Sequence, residues 1–385
     1  MPIKRALLSE LKTLQAKYPI IAITGPRQSG KTTLMKQAFP KYRYVSLENP
    51  DNRLFASLDP KGFLLEYNDL VIFDEVQRVP ELFSYLQEIV DTNQKMGQFI
   101  LSGSQNFHLV KSITQSLSGR VALCSLFPFD LREMKKAKIQ KENLAELITT
   151  GFYPAIYDRD IDPRRYYKDY IETYIKRDIT QLHQIQDMRT FTRFIKLCAG
   201  RAGQLLNYSE LAKDAGISHT TTIHWLSLLE ASYIIFMLPP YHRNFNKRLI
   251  KSPKLYFYDT GLLCFLLGIT TDNLKPTHPL WGPLFENMIV SEKVKQNAHH
   301  SLHQEFYFWR DSHGNEVDLL REEDGKMHLY EIKASSTVNP TMFKGLNYLF
   351  NLAEDKIASK TVIYSGNENQ NWTDYKVVAW NQLHK

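Results

Sequence analysis

The chain has 385 residues, 43% of them hydrophobic and 23% charged, with a formal net charge of +7. That length is large for one hydrophobic core, so two or three domains are expected, and the composition excludes a disordered or fibrous chain. The mild basic excess is compatible with nucleic acid without demanding it.

Cys124, Cys198 and Cys264 are far apart in sequence. This argues against a disulfide framework or a zinc site and fits a reducing cytoplasm. The longest apolar run, Gly261 to Ile269, is too short to span a bilayer, so a cytoplasmic protein without a membrane partner is expected. Residues Met1 to Lys12 carry an amphipathic helix pattern with no apolar signal core. Next, Ile20-Ile21-Ala22-Ile23 reads as a short buried strand, and Thr33 to Ala38 as a helix.

Between them lies Gly25-Pro26-Arg27-Gln28-Ser29-Gly30-Lys31-Thr32-Thr33, a complete G-x-x-x-x-G-K-[ST] loop in its proper strand–loop–helix setting. Gly25 and Gly30 let the backbone turn its N–H groups inward at the positive end of the helix, which makes an anion trap. Lys31 is expected to reach the β- and γ-phosphates of ATP, and the Thr32 hydroxyl to ligate Mg²⁺.

Strand-like Leu70 to Phe73 ends in Asp74-Glu75. Asp74 is the expected metal-side carboxylate and Glu75 the base that orients the attacking water. A further strand, Gln98 to Leu101, leads to Ser102 and Ser104, either of which could sense the γ-phosphate. Arg120 precedes the strand Val121 to Leu126, where it could stabilise the transition state in an adjacent subunit or form a local ion pair. With Arg43 to Leu47, five strands separated by helices predict a parallel sheet covered on both faces.

The loop motif, Asp74-Glu75-Val76-Gln77-Arg78-Val79-Pro80, Leu101-Ser102-Gly103-Ser104 and Ser118-Gly119-Arg120 resemble prokaryotic AAA+-type ATPases with a C-terminal region of poorly assigned function. The resemblance continues through Tyr174 to Asp178 and Lys251 to Tyr256, and so spans nearly the whole chain. It implies ATP and Mg²⁺ binding and a homo-oligomer, with a hexamer as one candidate.

Tyr166 to Gln184 is helical in pattern, with Arg177 open to a second nucleotide-sensor role or to pairing with Asp178. Tyr208 to Thr222 follows the helix-turn-helix pattern, with a turn at Ala215-Gly216 and Ser218 capping the second helix. Leu211, Ala212, Ile217, Ile223, Leu226 and Leu229 are expected to form its core. That second helix offers no Arg or Lys. Arg243, Lys247, Arg248, Lys251 and Lys254 follow without an intervening carboxylate and could hold DNA phosphates, the alternative being a winged helix used for packing.

The last segment reads as α-β-β-β-α-β: a helix at Pro283 to Val294, strands at Glu305 to Arg310, Glu316 to Leu320 and His328 to Lys333, a helix near Met342 to Leu352, and a strand at Thr361 to Tyr364. In Glu331-Ile332-Lys333, residues two apart face one side of a strand. With Asp318 on the neighbouring strand and Glu286 on the helix, this resembles the PD-(D/E)XK nuclease superfamily. The resemblance implies Mg²⁺ held by Asp318, Glu331 and Glu286, with Lys333 orienting the attacking water, or else a catalytically inactive binding module. Tyr307, Trp309 and Arg310 could clamp nucleic acid or belong to the core.

The expected fold class is α/β. A P-loop AAA+-type ATPase domain occupies 1–160, a helical lid and winged-helix-like domain 161–274, and an α/β restriction-endonuclease-like domain 275–385. The expected activity is ATP hydrolysis acting on DNA, with a nuclease-like domain that binds or cleaves it, or alternatively an ATP-driven switch.

Overall fold

The computed structural model describes residues 3–103, 116–179, 185, 187–241 and 251–383, with the backbone alone for 176–179. Ser104, Arg243, Lys247 and Arg248 lie outside the described residues, as do the side chains of Arg177 and Asp178.

The first sheet contains β1 (Ile20–Thr24), β2 (Arg43–Ser46), β3 (Val71–Asp74), β4 (Phe99–Ser102) and β5 (Val121–Ser125), all parallel and in the order β2-β3-β4-β1-β5. The apolar runs of β1, β3 and β4 are buried throughout, as strands covered on both faces must be. Because β4 lies between β1 and β3, the loop after β1 and the carboxylates after β3 flank a third strand end. Crevices at the carboxyl ends of such sheets are where ligands bind. One core fills the face built on Phe63, Phe73, Phe83 and Phe99; the other holds Leu7, Leu11, Leu34 and Met35 against Ile21 and Ile23.

Beyond β5, a helical segment continues from Pro163–Tyr170 into a π-helical run at Ile171–Ile179. Helices Met188–Ala199, Tyr208–Ala215 and His219–Ala231 follow. Gly216, in the left-handed conformation at φ 69°, ends the helix Tyr208–Ala215, and Ser218 caps the next by accepting from the Thr221 N–H at 3.0 Å. An antiparallel pair, β6 (Ile235–Leu238) and β7 (Lys254–Phe257), completes this region.

Leu211, Ala212, Leu226 and Leu229 are buried there, but Ile223 is 45% exposed, contrary to the core role expected for it. The helix buries Thr222, Trp225, Leu226 and Leu229, and the 3.6-residue period leaves Ile223 off that face.

The third region begins with the long helix Trp281–His299. Its mixed sheet has the order β12-β13-β11-β10-β9-β8, from β8 (Phe306–Arg310), β9 (Glu316–Glu323), β10 (Lys326–Lys333), β11 (Ile357–Tyr364), β12 (Gln370–Asn371) and β13 (Lys376–Ala379). Strands β8, β9 and β10 form an antiparallel meander, whereas β11 runs parallel to β10 after the crossover helix Lys344–Ala353. The closing strands β12 and β13 extend the expected order. One apolar cluster runs from Phe129 to Leu383, so the second and third regions share a core. No helix among the described residues is long and apolar enough to cross a membrane.

Candidate nucleotide and acidic sites

The P-loop turns on residues with positive φ: Gly25 at 137°, Gln28 at 62° and Gly30 at 96°. Gly25 also packs so closely that a Cβ there would meet the Leu126 carbonyl oxygen at 2.1 Å. Gly30 then caps the helix Lys31–Ala38, whose first N–H groups face the cleft. Lys31 is buried, and its ammonium donates to the Gly25 and Pro26 carbonyls at 2.9 Å each. Burial pushes its pKa down to about 8, against the pull of Glu75 and Asp74.

Asp74, at the end of β3, is the hub. Its Oδ2 accepts from the Thr32 hydroxyl at 2.9 Å and from the Tyr44 hydroxyl at 2.5 Å, while Ser102 donates to Oδ1. Thr32 and Asp74 are hard oxygen donors of the class that takes Mg²⁺ together with phosphate oxygens and water, so the residues fit that ion. Glu75 adopts a left-handed conformation at φ 57°, which lets two successive carboxylates serve one end of the strand. The Gln77 amide donates to Glu75 Oε2 at 2.5 Å.

A cleft of about 470 Å³ is lined by Lys31, Thr32 and Glu75 together with Arg27, Gln28, Thr33, Ile3, Phe129, Pro154 and Ala155. Arg120 lies before β5, at the amino end of the sheet and away from the P-loop of its own chain. It binds Asp91 of the helix Leu82–Asn93, with Nη2 to Oδ2 at 2.8 Å.

The second cluster forms where the β9–β10 ladder stops at the pair Leu319 and Tyr330. Just past that point, Asp318 Oδ2 accepts from the Ile332 N–H at 2.8 Å, and the side chains of β9 and β10 converge. Lys333 spans the two acids, 3.4 Å from Asp318 and 2.6 Å from Glu331. Burial, and then the Asp318 charge, push the Glu331 pKa up to about 8. Its Oε2 is buried without a hydrogen-bond partner, the kind of orphan atom a bound cation would satisfy.

Asp318 and Glu331 therefore fit a hard divalent cation. Glu286 stands beside them, near enough for its charge to act on Lys333, but its Oε1 is held by Lys254 at 3.1 Å and the Tyr256 hydroxyl at 2.6 Å, and the three acids do not bring donor atoms within 4.8 Å of one another. Among the described residues, the only group of three metal-type side chains with donor atoms within 4.8 Å of one another is Asp130, Glu133 and His299. That trio is occupied otherwise: Asp130 and Glu133 form a capping box, and Glu133 pairs with Arg5 at 3.0 Å.

One further expectation is corrected, and one open alternative is decided. Lys254 is not a phosphate-facing member of the basic stretch: it is buried on β7 between Glu286 and Glu316. Lys251 is exposed. Trp309 is fully buried in the core of the mixed sheet and cannot stack on nucleic acid, while Tyr307 binds Glu305 and Arg310 binds Glu316.

Sequence reasoning also missed Tyr44, Gln77, Arg5 and Glu316. For Glu316 the signal was present, since it stands two residues before Asp318 on one strand and so faces the same side. For Arg5 there was none, because its partners lie 24 to 128 positions away.

The parallel sheet with its phosphate loop and paired strand-end acids defines a P-loop ATPase domain of the AAA type. The family model described as "AAA domain" matches residues 17–135. Two families described as domains of unknown function, DUF8612 and DUF4143, match residues 141–273 and 281–383.

Uncharacterized proteins of Mycobacterium tuberculosis and Mycobacterium bovis are each 30% identical over 367 residues, covering 94% of this chain and 80% of theirs. The chain belongs to the family of these proteins. Among solved structures, the Walker-type ATPase of Pyrococcus abyssi aligns at 16% identity with a TM-score of 0.45, covering 68% of this chain and 94% of that one.

Proposed function

We propose that the protein is a Mg²⁺-dependent ATPase in which Lys31 holds the phosphates, Thr32 and Asp74 hold the metal, and Glu75 orients the attacking water. The convergence of Lys31, Thr32, Asp74, Glu75 and Ser102 at the ends of three adjacent strands carries this reading. Bound Mg²⁺ would supply charge neutralisation for the transferring phosphoryl group. Lys31→Ala is expected to abolish nucleotide binding. Glu75→Gln should keep binding and lose at least ~100-fold in turnover, the usual weight of a general base. Unchanged hydrolysis in Glu75→Gln sinks the assignment of the base.

DNA is the macromolecule proposed for this ATPase, and the nuclease-like arrangement of Asp318, Glu331 and Lys333 supports the choice. ATPase stimulation by DNA, with affinity that falls steeply as salt rises, is the expected result. A homo-oligomer in which Arg120 serves a neighbouring site belongs to the same reading. Activity regained on mixing Arg120→Ala with Glu75→Gln subunits tests it.

A second reading is favoured by one observation: Lys254 already neutralises Glu286 and Glu316 within the acidic cluster. In that reading the third region is an inactive interaction module, and ATP drives a switch in assembly. No cleavage of DNA or RNA with Mg²⁺ or Mn²⁺ is its expected result.

A further inference from the structure

Three hydroxyls hold Asp74, and one comes from the edge of the sheet. Tyr44 lies on β2, where the register sets it beside Ile72 and sets Ser46 beside Asp74. Its side chain therefore leans along the strand to reach Asp74 Oδ2, the oxygen that also accepts from Thr32. On its other side, the ring carries the Lys36 ammonium 3.8 Å from its centroid. Lys36 belongs to the helix that starts with Lys31, so Tyr44 is pinned between the P-loop helix and the metal-side carboxylate.

We propose that Tyr44 is a positioning residue for Asp74, fixing the plane of its carboxylate so that Asp74 and Thr32 present their oxygens together to the Mg²⁺ of bound nucleotide. The inference rests on the ATP–Mg²⁺ reading of this site. A carboxylate turns freely about its last bond unless hydrogen bonds fix it, and partners of this kind orient ligands and tune their basicity. With Ser102 on Oδ1 and Tyr44 on Oδ2, both oxygens of Asp74 have a fixed donor besides Thr32. A phenol hydroxyl is a donor at neutral pH, so Tyr44 can hold Asp74 Oδ2 throughout.

Tyr44→Phe isolates the hydroxyl, because the ring and its contact with Lys36 persist. The measurement is the affinity of full-length protein for a fluorescent ATP analogue, first in EDTA and then across a Mg²⁺ titration. In EDTA the variant should match wild type within about twofold. The Mg²⁺ concentration giving half of the affinity gain should rise by about 10-fold, the low end of the loss seen when such a partner is removed.

Thr32→Ala, which removes a proposed ligand itself, should lose the Mg²⁺ response altogether. An unshifted Mg²⁺ midpoint in Tyr44→Phe overturns the proposal while leaving the ATP site standing. Equal weakening in EDTA and in Mg²⁺ also overturns it, since Tyr44 would then only support the fold of the loop. Wild-type protein that binds no nucleotide under either condition overturns the ATP site and the role of Tyr44 together.

Discussion

Gly25 and Gly30 are one motif in the sequence but two different constraints in space. Both take positive φ, yet only Gly25 has backbone in the way: a Cβ would meet the Leu126 carbonyl oxygen at 2.1 Å, whereas at Gly30 the nearest atom is Arg5 Nη1 at 3.5 Å. A carbonyl at the end of a buried strand cannot rotate aside as a side-chain tip can. Gly25→Ala should therefore cost about 1–3 kcal/mol in overpacking beyond the left-handed strain that Gly30→Ala shares. Thermal unfolding of the two variants checks this, and equal destabilisation would count against the Leu126 contact. The motif made the need for glycine legible. The reason for it at Gly25 lay about a hundred positions away, on a strand that touches β1 only after folding. Tyr44 was illegible for the same reason, as nothing in Arg43-Tyr44-Val45-Ser46 signals the acid two strand positions ahead on its neighbour.

At the scale of elements, β7 shows how little sequence spacing says about which way a charged residue faces. Lys251 and Lys254 belong to one basic run, yet the first is exposed and the second is 3% exposed, bound to two carboxylates from the helix Trp281–His299 and from β9. The strands of the first sheet, with β8 and β10, were legible to within a residue or two because apolar runs and turns mark them locally, whereas β9 and β11 run further than expected and β6, β7, β12 and β13 were not read. The cluster was legible in part: the two-residue period placed Glu331 with Lys333, but a lysine from the preceding region leaves no local mark.

Removing the buried Lys254 leaves two partly exposed acids without their shared cation, and breaking a buried ion pair costs up to about 3–5 kcal/mol. Lys254→Met should be destabilised to that extent, and Lys254→Met combined with Glu286→Gln should recover part of the loss. On the proposed DNA reading, Lys254→Met should leave the salt dependence of binding unchanged, while Lys251→Ala should reduce it. A salt slope reduced equally by both would return Lys254 to the phosphate-facing stretch.

Across the whole molecule, one buried polar chain joins the nucleotide loop to the carboxyl end of the helix Trp281–His299. Arg5 donates to the Ser29 carbonyl of the P-loop and to the Phe127 carbonyl, each at 2.7 Å, and to Glu133 at 3.0 Å. Asp130, which completes the capping box with Glu133, meets His299 Nδ1 at 2.8 Å, and His299 Nε2 accepts the Phe127 N–H at 3.1 Å. That second bond fixes the tautomer: Nδ1 carries the proton given to Asp130. His299 closes the helix Trp281–His299, and Glu286 lies in its first half.

The chain can be tested through Asp130. Burial pulls its proton affinity up, but the hydrogen bonds from His299 and from the Glu133 N–H prevail, holding the carboxyl well below the usual carboxylate range. A depressed acid contributes stability above its unfolded pKa of about 3.9 and loses that contribution as pH falls below it. Asn still caps a helix and still accepts one hydrogen bond, so Asp130→Asn removes chiefly the charge. The variant should be about 2 kcal/mol less stable near pH 7, the scale of a hydrogen bond to a charged group. The gap should narrow as pH falls through 4 toward 3, where the unfolded chain begins to take up a proton on this acid while the folded carboxyl stays ionised. A gap that stays constant from pH 7 to pH 3 would mean that the carboxylate charge does not hold the ATPase sheet to the long helix.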